Sequence, residues 1–182
     1  MLRTILLGLL MFGAVLTVII ARQPSEFIIT RSTTIAAPPS TVFEQVNDLH
    51  QWAAWSPWTK LDPNAKNTFE GPAAGEGAVM RWVGNNQVGE GSMTIVESKP
   101  AELLRFQLDF LKPFKATHSA EFNFKLEGDQ TAVSWSMSGQ KNFVAKAMSL
   151  IMNCDKMIGE QFEKGLASLK SVSESVPAQP VQ

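Results

Sequence analysis

Cysteine, histidine and charge are all scarce in this chain of 182 residues. The single cysteine, Cys154, cannot form an internal disulfide and is read as a small buried hydrophobe. Two histidines, His50 and His118, lie far from it and from each other. No structural zinc site is expected from that set, and no Ser-His-Asp or Cys-His triad can be assembled from it. Charged residues make up 18% of the chain and the net charge is −1. Arg3 and Arg22 are the only charges in the first 24 residues, so the remainder is more acidic still. Nucleic acid normally demands a basic face and is not expected as a partner. Phosphate-binding loops are missing too. Gly75-x-Gly77 lacks the third glycine of a dinucleotide loop, and Gly84-x4-Gly89 is followed by Glu90 where a phosphate loop needs lysine. Both are turns. No cofactor is expected.

What the chain does have is apolar surface, 45% of its residues, enough for one domain with a buried core. The first of it is a run. Leu2–Ala21 is almost wholly apolar, and twenty helical residues span about 30 Å, the thickness of a bilayer core. A cleaved signal peptide has a shorter apolar stretch and a small-x-small cleavage site, which is missing before Arg22. The run is therefore read as an uncleaved anchor. The terminal amine and Arg3 favour a cytoplasmic N-terminus, while Arg22 and Arg31 pull the other way. In a bacterium the first choice puts the domain on the periplasmic side of the inner membrane.

Beyond a short linker, 23–26, alternation of apolar and polar residues predicts strands at 27–35, 68–71, 77–83, 88–98, 102–110, 117–127 and 131–138. The clearest are Leu104/Phe106/Leu108/Phe110, Ala120/Phe122/Phe124/Leu126 and Thr131/Val133/Trp135/Met137. Turn residues separate them, so the strands form an antiparallel meander with one wet face. Between the first two lies a short amphipathic helix (Val42, Phe43, Val46, Leu49), then a segment with three of the five tryptophans, Trp52, Trp55 and Trp58. Residues 142–170 close the domain. Phe143, Ala147, Leu150, Ile151, Cys154, Ile158, Phe162, Leu166 and Leu169 recur at steps of three and four, predicting one helix roughly 40 Å long. Gly165 falls near the apolar line and allows close approach to the sheet. Residues 171–182 show no period and are expected to be disordered. The architecture predicted is α+β, a curved antiparallel sheet of about seven strands wrapped on a long C-terminal helix. A cavity would remain where the curl leaves the helix, and Leu150 to Ile158 would face it.

The order of elements, together with Ile35-Ala36-Ala37-Pro38-Pro39-Ser40-Thr41-Val42-Phe43, Asn47-Asp48 and Trp52-x-x-Trp55-Ser56-Pro57-Trp58, resembles the polyketide cyclase/dehydrase-type members of the START-like (SRPBCC) superfamily. Gly75-Glu76-Gly77, Gly89-Glu90-Gly91 and Asp155-x-x-Ile158-Gly159-x-x-Phe162-Glu163-x-Gly165-Leu166 are similar to the same group. The resemblance covers about residues 31–170 and implies a helix-grip fold around a hydrophobic cavity. Its members include lipid carriers, hormone receptors, cyclases and chaperone activators, so the fold does not select among functions.

Trp52, Trp55, Trp82, Phe106, Phe122, Trp135 and Ile158 are the expected cavity lining. For the tryptophan segment, plain core packing and a seat in the membrane interface are the competing readings. Arg31 and His118 share the parity of inward residues, and Asp155 lies at the margin of the helix stripe; they are candidate polar contacts. Each has an ordinary alternative: a strand-end His or Arg turned to solvent, an Asp that caps or pairs. No catalytic residue is assigned. The function expected is a membrane-anchored domain that binds or carries a lipid-like molecule. The alternatives are a cyclase- or hydratase-type enzyme needing His118 or Asp155, or a protein-interaction module with a filled core and an exposed apolar patch.

Overall fold

The computed structural model describes residues 1–176. Helix α1 (Leu2–Ala21) leads into strand β1 (Glu26–Ile35). Three short helices follow, α2 (Pro39–Asn47), α3 (Trp52–Trp55) and α4 (Pro57–Leu61). Strands β2 (Lys66–Glu70), β3 (Val79–Val83), β4 (Glu90–Lys99), β5 (Leu103–Lys112), β6 (Ala116–Glu127) and β7 (Gln130–Gln140) complete the sheet. Two helices end the described chain, α5 (Phe143–Met148) and α6 (Cys154–Ser175).

The seven strands form one curved antiparallel sheet in the order β1-β7-β6-β5-β4-β3-β2. Turns make each neighbour from β2 to β7, and only β1 comes from afar, to pair with β7 from Glu26↔Gln140 to Ile35↔Thr131. Period-two alternation sends Ile29, Ile35, Phe106, Phe122, Val133 and Trp135 into the core. The outer face is wet: Arg105 donates to Glu97 and Glu121, and Thr117 to Asp109.

α6 covers the inner face with Gly159, Phe162, Gly165, Leu166, Leu169 and Ser173, at the spacing of one helical stripe. Its line along β1 is drawn by three contacts. Asp155 pairs with Arg31, Lys170 donates to the Thr34 carbonyl, and the Ala36 amide donates to Glu174. The tryptophan segment closes the far end. Trp52 and Trp55 donate their indole N–H groups to the Val46 and Gln45 carbonyls at 2.8 and 2.9 Å. Those carbonyls belong to the last turn of α2, which has no intrahelical donors for them.

Two expectations are corrected here. The stripe in 142–170 is not one helix: residues 149–153 break it, and each half has its own asparagine N-cap. Asn142 accepts from the Ala145 amide, and Asn153 from the Lys156 amide. Leu150 and Ile151 therefore face no cavity; Ile151 is 90% exposed, and Cys154 is only half-buried. At the other end α6 runs on to Ser175, so the first five residues of the expected disordered tail are helical. Residues 177–182, the rest of that tail, lie outside the described residues.

Gly165 does what its place in the stripe suggests. A Cβ there would sit 2.8 Å from the Trp135 ring and 3.0 Å from Pro57 Cδ, neither of which can swing away. Gly165→Ala gains about 1 kcal/mol of helix propensity but meets an overpacking cost of about 1–3 kcal/mol. The expected outcome is a net loss of stability in denaturant titrations of the full chain, with Phe162→Ala losing more, about 3–5 kcal/mol.

Candidate functional site

The inner face of the sheet divides into a covered half and an open half. In the covered half, Phe162 of α6 stacks on Trp135 with ring centroids 4.1 Å apart and planes within 6°. Phe122 stacks on the other neighbour side of Trp135 at 4.7 Å. Trp52, Trp55 and Trp58 meet Trp135 edge to face at 5.5–6.1 Å, and Trp52 meets Phe106 in the same way. Trp52, Trp55, Phe106, Phe122 and Trp135 are all buried, so this block is packed ring against ring. The Trp135 indole N–H is buried without an acceptor among the described residues.

α6 stops short of the other half. Its first turn meets β1 at Arg31, and Phe27, on the same face, lies four residues further, about 13 Å along the strand. There Phe27 and His118 meet edge to face at 5.0 Å, His118 and Phe110 lie 5.6 Å apart, and Phe110 meets Trp82 at 5.8 Å. These four half-buried rings, with Leu108 beside them, form an apolar shelf at the mouth of the grip. Glycines in the facing strands make room for two of them. A Cβ on Gly91 would come within 2.5 Å of the Trp82 ring, and one on Gly139 would overlap the His118 imidazole.

His118 is the polar group of the shelf. Its Nδ1 is buried and has no hydrogen-bond partner among the described residues. Burial pushes its pKa below the ordinary value of 6.5, so the ring is neutral near pH 7.

The other two polar candidates are brought together with each other and not with His118. Arg31 donates from Nη2 to Asp155 at 3.1 Å and from Nε to Glu163 at 2.8 Å. These two carboxylates, Asp155 first, push the guanidinium pKa above its already high ordinary value. A Cβ on Gly159 would overlap the guanidinium, so this glycine seats Arg31 against the helix backbone. The pairing alternative foreseen for Asp155 is the one realised. Both carboxylates are more than half exposed, so solvent screening keeps the net worth of the pairs small. Ile158 is half-buried against the hydrophobic core, as is Trp82 on the shelf. Among the described residues no cluster of His, Cys, Asp or Glu has the form of a metal site.

Two surface depressions are present on the domain. One, about 270 Å³, is lined by Glu44, Gln45, Asn47, Asp48, Gln51 and Ala74. The other, about 340 Å³, is lined by Gln107, Thr117, Ser119, Ser138 and Gln140 together with Val96, Phe106, His118 and Gly139, so it borders both the block and the shelf. The first is of mixed polarity, and the second is mainly apolar.

A profile built on the polyketide cyclase/dehydrase and lipid transport family matches residues 26–174. The chain belongs to that family. Solved structures of similar fold include a protein from Chromobacterium violaceum, 14% identical over 82% of this chain and 98% of that one, with a TM-score of 0.61. The Zhui aromatase/cyclase from a Streptomyces species is 15% identical over 82% and 94%, TM-score 0.59. The Aha1 dimer from Colwellia psychrerythraea is 16% identical over 82% and 97%, TM-score 0.58. At such identities they share the fold alone. No curated protein matches the chain in sequence.

Sequence reasoning missed Phe27, Leu108 and Phe110 as site residues, although Leu108 and Phe110 share the parity of Phe106. It also missed Gly91 and Gly139, whose signal was a glycine inside or at the end of a strand.

For His118 the pH dependence has a definite sign. Its folded pKa lies below the unfolded one, so its contribution to stability is complete above about pH 6.5 and is lost as pH falls toward the depressed value. Thermal unfolding of the full chain at about pH 7.5 and pH 5.5 is expected to show a larger acid-induced drop for the native protein than for His118→Gln.

Proposed function

We propose that this family member is a membrane-anchored domain that takes up an apolar or amphipathic, lipid-like molecule on the half-exposed shelf of Phe27, Trp82, Leu108, Phe110 and His118. The observation that carries this reading is the shelf itself. Four aromatic rings are only half-buried on an inner face whose other half is packed, and the buried, unpartnered Nδ1 of His118 sits among them. Apolar burial at about 25 cal/mol per Å² supplies the affinity, and His118 sets the orientation of a polar head. The aromatic block of Trp52, Trp55, Phe106, Phe122 and Trp135 forms the rear wall, with Ile158 at its edge. Arg31 and Asp155, already paired, stand at the rim. α1 has the length and composition of a membrane span, which a signal sequence shares; we read it as the tether, with the domain periplasmic.

A second reading is a protein-interaction module. The packed block and the exposed apolar side chains of α5 favour it, since Phe143 and Val144 are each about half exposed.

Native mass spectrometry of the full chain and titration with a dansylated fatty acid test the first reading. A co-purifying lipid and saturable probe binding are expected, with Phe110→Ala and Trp82→Ala each weakening the probe about tenfold, equivalent to about 1.4 kcal/mol. Absence of both lipid and saturable binding would leave the interaction module as the better account.

A further inference from the structure

Outside α1, many of the exposed large apolar side chains lie at one end of the domain, although Phe69, Val96, Leu126 and Val176 are exposed elsewhere. Leu111 and Phe114 lie at the tip of the β5–β6 hairpin, 52% and 57% exposed. Phe143, Val144, Leu150 and Ile151 lie on α5 and the break after it. Strand register puts these two segments together. Glu26 pairs with Gln140, Gly139 with His118 and Ala116 with Phe110. The hairpin tip, the start of β1 and the exit of β7 toward α5 therefore share one end of the sheet. The opposite end, at the turns around 99–102 and 127–130, is mostly charged or polar.

That same end is where α1 leaves. Only residues 22–25 separate α1 from β1, a reach of at most about 14 Å even when fully extended. The Lys141 amide donates to the Ser25 carbonyl at 2.6 Å, which pins the linker to the start of α5. Lys146 of α5 donates to the Ala21 carbonyl at the C-terminus of α1, and Ile20 is buried there. The apolar segments are thus continuous with the end of the apolar helix. Their charge is one-sided. Residues 22–26, 111–115 and 141–153 hold Arg22, Lys112, Lys115, Lys141 and Lys146 against one acid, Glu26, although the chain as a whole is acidic. Lys112 also pairs with Glu90.

We propose that residues 143–152 and the hairpin tip 111–115 form a membrane-docking surface that seats in an anionic phospholipid bilayer beside α1, turning the open mouth of the grip toward the lipid. The break at 149–153 then has a purpose. It turns Leu150, Ile151 and Met152 out of the core-facing stripe and into the headgroup–acyl boundary, where exposed apolar side chains are stabilised and flanking lysines meet lipid phosphates. The proposal rests on α1 spanning the membrane.

The full chain, reconstituted in phosphatidylcholine–phosphatidylglycerol vesicles, tests it. Single cysteines carrying a fluorophore are placed in a Cys154→Ser background at Leu10→Cys, Phe114→Cys, Ile151→Cys and, at the far end of the sheet, Lys125→Cys. Quenching by lipids with nitroxide-labelled acyl chains is expected to be several-fold greater at 114 and 151 than at 125, approaching that at 10. Tryptophan emission from the buried block checks that each variant is folded. Quenching at 10 but not at 114 or 151 overturns the docking surface and leaves the anchor standing. Quenching at none of these sites overturns the anchor and the proposal with it. Protection of 114 and 151 from an aqueous quencher without contact to nitroxide lipids means that protein covers this face, and also overturns the proposal.

Discussion

Trp135 lies against Phe162 of α6 at 4.1 Å and Phe122 of β6 at 4.7 Å, and this stack sets the distance between the last helix and the sheet. The spacing is reached only because residue 165 has no side chain, since a Cβ would meet both Trp135 and Pro57. Once α6 is held there, the tryptophan segment must fill the remaining space, and it does so with its indole N–H groups spent on the end of α2. The covered half of the grip is therefore packed like an ordinary protein interior.

A packed rear half moves the functional question to the front. α6 begins at Cys154 and meets β1 at Arg31, so α6 itself does not extend over the inner face beyond that point. The rings left there are neither fully buried nor solvated, and His118 brings a neutral imidazole among them. An apolar shelf with a single polar group, open on one side, suits an amphipathic guest better than it suits acid–base chemistry. Asp155, the carboxylate such chemistry would want, is engaged by Arg31 instead.

The position of the open side matters as much as its lining. Four linker residues join α1 to the strand at that edge, and the hairpin tip and α5 add apolar and cationic side chains around it. On the proposed docking, a guest that partitions into lipid would meet the shelf without crossing water.

Much of this was legible from residue order. Alternation gave every strand to within a few residues, because a sheet with one dry face writes its period directly into the chain. The apolar run of α1 and the inward parity of Arg31, His118 and Trp135 were equally plain. Gly165 was readable because its neighbours in the stripe are three and four residues away. Periodicity could not reveal the break at 149–153, since Leu150 and Ile151 keep the helical spacing on either side of it. Only the asparagine caps and the path from β7 back to β1 turn them outward. Nor could it tell that Arg31 would find Asp155 and Glu163, more than a hundred residues away, or that Gly91 and Gly139 would be seats for Trp82 and His118. Local pattern determines which face of an element is apolar. What that face meets, and whether anything covers it, depends on distances between elements, and those are decided when rings and glycines from remote parts of the chain come into contact.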